Sequence, residues 1–188
     1  MINLNNININ KYNFNDKISK RNNSNSQDAE VYNFKPRSTG DKHILDEINN
    51  ETDPIEKQED LIFYSDLRKA GIDFKNSSSW ELEKSRISGF PPTTAPGYVR
   101  QAFREALLNV PENERAHIAL SLSFEYDMYS SKNKTGNPNS ISFYNDFIKY
   151  TSQCNDFNRG LLGEDVYTYT KKLLNDFSLN LQKSTTSK

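Results

Sequence analysis

A chain of 188 residues is long enough for one domain with a real core and short for two, yet only 34% of it is hydrophobic, below the roughly 45–50% of ordinary globular proteins. A formal net charge of −1 removes the usual electrostatic reason to expect nucleic-acid binding, and a single cysteine, Cys154, excludes an internal disulfide and fits a reducing compartment. No apolar run approaches the roughly 18 residues of a membrane span, and Asn interrupts every apolar stretch near the N-terminus, so neither membrane insertion nor a secretory signal is expected.

Residues 1–40 read as a disordered, low-complexity arm, because ten of the first 25 residues are Asn, which favours turns over helices. Ile2, Leu4, Ile7, Ile9, Tyr12 and Phe14 fall into two-residue alternations within it, a pattern able to pair with the edge of another sheet. An arm rich in Asn, Ser and Ile also resembles the uncleaved export signals of type III and flagellar secretion substrates. That resemblance is compositional, covers only the first 25 or so residues, and implies export by a non-Sec route.

From residue 41 helical signals begin. Residues 41–50 place Ile44, Leu45 and Ile48 on one side. Asp53 followed by Pro54 reads as an N-cap with proline at the first helical position, and Gly71 supplies the left-handed residue that stops that helix. Between them Ile55, Ile62, Phe63, Leu67 and Ala70 form the expected apolar stripe. A serine run at 77–79 caps a short helix over 80–87. These elements make a small helical section, 41–88. Residues 89–97 (GFPPTTAPG) are too rich in Pro and Gly for a helix and read as a rigid connector.

Residues 98–182 read as the helical core. Val99, Ala102, Phe103, Ala106, Leu107 and Val110 recur at helical spacing, and Pro111 with Glu112 and Glu114 opens the next helix. There Ile118, Leu120, Leu122, Phe124, Tyr126 and Met128 alternate with small or charged residues, as in a half-buried strand. Leu and Met favour helix and only Ile118 is β-branched, so helix is the expectation. After a loop at 131–139, a helix over 140–157 carries Phe143, Phe147, Tyr150, Cys154 and Phe157 on one face with Ile141, Tyr144 and Ile148 beside it, broad enough for central burial. A last helix over 164–182 carries Val166, Tyr169, Leu173, Phe177 and Leu181, and residues 183–188 should fray. The expected fold is all-α, an irregular bundle of five or six helices behind the arm. The alternative is α+β with a hairpin around 118–150.

No catalytic constellation emerges. Glu56, Glu59 and Asp60 share a helix face in early turns, where the helix dipole accounts for acidic side chains without function. Glu114 and His117 form one Glu-x-x-His motif, which a metal centre would need twice, and His43 has no matching glutamate. Cys154 lies in register with the aromatic face of its helix and reads as a small hydrophobe. No glycine pattern cradles phosphate, so neither a cofactor nor a metal is expected. Arg100 and Arg104, one turn apart and expected to be exposed, can grip an acidic partner. Trp80, the one tryptophan, either packs beneath the connector or anchors a partner. The expectation is a non-enzymatic interaction or adaptor protein of a bacterial-type cytoplasm whose partner is another protein. A secreted effector is the first alternative, and an enzyme with a site assembled from scattered polar residues the second.

Overall fold

The computed structural model describes residues 34–186, so most of the expected arm lies outside the described residues. Eight helices fill the described part: α1 (Thr39–Asn49), α2 (Pro54–Lys69), α3 (Trp80–Ser85), α4 (Gly97–Leu107), α5 (Glu112–Lys132), α6 (Ile141–Phe157), α7 (Arg159–Leu162) and α8 (Glu164–Thr186). No strand occurs among the described residues, and 118–128 is helical, which overturns the α+β alternative.

Local chemistry sets the helix ends. Asp53 accepts hydrogen bonds from the backbone N–H of Ile55 (2.8 Å) and Glu56 (3.1 Å), Pro54 opens α2, and Gly71 past its end stands at φ +84°. Ser38, Ser79 and Ser140 cap α1, α3 and α6 in the same manner. The folded part begins before residue 41. Phe34 packs edge-on against Tyr64 at 5.1 Å, and α1 starts at Thr39. Gly40 lies so close to the loop after α2 that a Cβ there would stand 2.3 Å from the Phe74 carbonyl oxygen.

Apolar residues collect in two clusters. The smaller holds Ile44, Leu45, Ile48, Tyr64, Leu67, Phe74 and Trp80. The larger joins α4, α5, α6 and α8 through Val99, Phe103, Ile118, Leu122, Phe147, Leu173, Phe177 and their neighbours. The Pro-rich connector does more than join them. Its Phe90 is buried within the larger cluster and meets the rings of Phe103 (5.0 Å), Tyr126 (5.5 Å), Phe147 (4.7 Å) and Phe177 (5.9 Å). Those tilted and edge-on geometries suit the aromatic quadrupole.

Two helices differ from their expected faces. On α6 the buried residues are Phe143, Tyr144, Phe147, Ile148, Thr151 and Asn155. Cys154 is half-buried, and Phe157 is 89% exposed. The supposed stripe followed the largest aromatics, whereas the helix turns Thr151 and Asn155 inward instead. On α2 the buried set is Glu59, Asp60, Tyr64, Ser65 and Leu67. Two of these are acids, and their partners lie on α3 and α4.

Candidate interaction surface

Arg100 and Arg104 were the leading binding residues in the sequence, and the structure corrects their expected exposure. Arg100 is 8% exposed. Its guanidinium pairs with Glu56, stands 2.7 Å from an Asp60 oxygen through Nη1, and donates from Nε to the Ala95 carbonyl at 2.9 Å. The Nη1 contact is an ion pair whose angle falls short of a hydrogen bond. Arg104 donates from Nη2 to Glu59 at 2.6 Å. Lys84 of α3 reaches the same layer, 3.3 Å from Asp60 and 3.7 Å from Glu56. Glu56, Glu59 and Asp60 of α2 therefore form one side of an ion-pair layer between α2, α3 and α4. Gly97 makes it possible. The backbones approach so closely that a Cβ at Gly97 would stand 2.6 Å from the Glu56 Cα, and the Gly97 N–H donates to the Glu56 carboxylate.

Trp80 is likewise internal. It packs against Phe63 (5.8 Å), Tyr64 (6.2 Å) and Phe74 (6.1 Å) in the smaller cluster, and its indole N–H is buried without an acceptor. Beside it the Tyr64 phenol donates to buried Asp41, which also pairs with Arg68 at 2.6 Å. Burial, reinforced by Asp41, pushes the Tyr64 hydroxyl up to about 12.

Between α5 and α6 lies a second polar group. Burial raises the Glu125 carboxyl above its ordinary range, and the facing Thr151 hydroxyl offsets only part of that shift. Neither Glu125 Oε2 nor the Thr151 hydroxyl makes an aligned hydrogen bond. Tyr144 Oη and Asn155 Oδ1 are also buried without one, although Asn155 donates to the Tyr167 carbonyl at 3.2 Å. His117 stands exposed on α5. A depression of about 190 Å³ at the C-terminal end of α5, lined by Tyr129, Asn133, Gly136, Asn137, Phe143 and Asp146, is smaller than the roughly 300–1,000 Å³ of ordinary ligand pockets.

The feature that stands out is the outer face of α5. Ile118, Leu122, Tyr126 and Tyr129 enter the larger core, while Leu120 (52% exposed), Phe124 (62%) and Met128 (53%) face solvent. Residues two apart on a helix differ by about 200°, so an apolar residue at every second position fills two opposite stripes. The strand-like alternation is thus the signature of a two-faced helix. One stripe is covered by the protein and the other is left bare. Each stripe has i, i+4, i+8 spacing, which is the sequence signal that would have revealed the surface. No family model, curated protein or solved structure matches this chain.

Proposed function

We propose that this is a non-enzymatic protein-interaction module whose docking surface is the outer face of α5. The observation that carries the reading is the stripe of Leu120, Phe124 and Met128, three large apolar side chains each more than half exposed along one line of a helix. A contiguous apolar strip bordered by polar residues marks a site for another macromolecule, and an amphipathic helix reads its partner through such anchors. Exposed polar residues frame the strip: Asn113, His117, Asp127 and Ser131 toward its ends, and Ser121 at its side. Arg100 and Trp80 lie buried and the partly buried Arg104 is engaged by Glu59, which leaves α5 the stronger candidate.

The test is capture of partners from the native cells with the tagged full chain, beside a variant carrying Phe124→Ser and Met128→Ser. Partners retained by the first and lost by the second support the reading. Partners retained equally by both place recognition elsewhere and overturn it. The composition of residues 1–25 motivates a second reading, a substrate of a type III-like export apparatus. In that case removing those residues stops export and leaves folding intact.

A further inference from the structure

We infer that the partner seated on the outer face of α5 is a second copy of this chain, packed antiparallel across a two-fold axis; this rests on the reading of that face as a docking surface. The exposed positions along its midline are Asn113, His117, Leu120, Phe124, Asp127 and Ser131. Their 4-3-4-3-4 spacing is that of a helix seam that meets another helix by knobs-into-holes packing.

The seam is complementary to its own reversal. Turned about the midpoint between Leu120 and Phe124, it sets Leu120 against Phe124 of the second copy. His117 then falls opposite Asp127, and Asn113 opposite Ser131. Ala116, exposed at the flank, falls opposite Met128, where a small side chain leaves room for a long thioether. Every layer therefore joins apolar to apolar, polar to polar, or base to acid. A parallel pairing would instead stack Asp127 on Asp127. A two-fold interface requires one patch to complement itself, and an unrelated partner would impose no such symmetry on the seam.

The contact is one helix against one helix, α5 being 21 residues long. That is a small contact beside the roughly 1,200–2,000 Å² of stable complexes, so a weak dimer is expected, with a dissociation constant on the order of 10 µM as the working value. The central Leu120–Phe124 layers supply the affinity, while the His117–Asp127 layers fix direction and register.

Sedimentation equilibrium of the full chain from about 1 to 300 µM, a span chosen to bracket that constant, tests the inference. The expected result is a concentration-dependent shift from monomer to dimer. A variant carrying Leu120→Ser and Phe124→Ser stays monomeric throughout while its helix signal and melting curve match the parent. The register is tested by charge. His117→Glu alone sets two carboxylates together in both layers and weakens self-association by roughly tenfold, while Asp127→Lys alone removes the acid that His117 faces and weakens it less. An equimolar mixture of the two variants restores it, because each chain then offers the charge the other lacks. Within one chain these positions lie about 15 Å apart, too far for repair in cis.

A full chain that stays monomeric at the highest concentration overturns the inference, as does a dimer that survives the double serine variant or a mixture that fails to recover. Should a chain lacking residues 1–33 dimerise while the full chain does not, its own arm is the occupant and the second copy is rejected. Retention of a different protein that depends on Phe124, by a chain that remains monomeric, rejects the second copy alone and preserves the docking surface.

Discussion

The layer between α2 and α4 and the outer face of α5 invert what residue type alone leads one to expect. In the first, Glu56, Glu59, Asp60, Lys84, Arg100 and Arg104 lie where three helices of one chain meet, with Arg100, Lys84 and both Glu59 and Asp60 buried. In the second, Leu120, Phe124 and Met128 face water. The charges are inside because each finds an opposite charge on the facing helix, which offsets much of its desolvation. The apolar residues are outside because α5 has a second apolar stripe and α6 and α8 can cover only one. A side chain's polarity therefore locates it only after its partners are counted.

The largest effect comes from unpairing the first surface. Arg100→Ala leaves Glu56 and Asp60 without their guanidinium, and the expected loss is about 3–5 kcal/mol in chemical denaturation. Removing charge from both sides, as Arg100→Met with Asp60→Leu, leaves Lys84 near Glu56 and recovers most of that loss. Failure to recover would mean that the layer sets a geometry that apolar packing cannot reproduce.

Gly40→Ala follows at about 1–3 kcal/mol, because the added carbon collides with backbone at Phe74 and Lys75 rather than with a movable side chain. A thermal melt unchanged by this substitution would show that α1 and the loop after α2 separate easily.

The charge between α5 and α6 behaves oppositely to the ion-pair layer, since burial dominates at Glu125 and only the Thr151 hydroxyl opposes it. Burial raises its folded carboxyl, so at low pH both folded and unfolded forms carry the proton and the penalty is absent. The penalty grows as pH climbs from the ordinary value of 4.5 and is complete above the raised folded value. Glu125→Gln is therefore expected to match the parent near pH 4 and to exceed it in stability at neutral pH. A stability difference that stays flat between pH 4 and pH 8 would contradict this account.

The smallest effect belongs to the second surface. Phe124→Ser is expected to change the stability of the isolated chain by no more than about 0.5 kcal/mol, measured at a concentration well below that of association. A loss of several kcal/mol would mean that Phe124 is packed within its own chain and that the face is not free for a partner.

Much of the architecture was legible in residue order. Asp53-Pro54 and Gly71 act through bonds to neighbouring backbone, so their meaning does not depend on distant contacts. The stripes of α1 and α4 were readable for a related reason: each helix buries one apolar face, and its period is visible in the sequence. On α6 the same logic chose the aromatic stripe and placed Phe157 inside, because periodicity cannot see that Thr151 and Asn155 face the neighbouring helices. The candidate site was legible only in its ingredients, since an alternation such as that at 118–128 fits a half-buried strand as well as a two-faced helix.

Sequence by itself determined the helical class, the caps, the turn at Gly71 and the non-helical stretch around Phe90, all consequences of bonding and sterics within a few residues. Only the tertiary structure decided that Arg100 answers Glu56 and Asp60, that Trp80 and Phe90 belong to different cores, and which stripe of α5 stays exposed. Those outcomes depend on which helices meet, and a helix carries no record of its neighbours until packing brings distant side chains within a few ångströms.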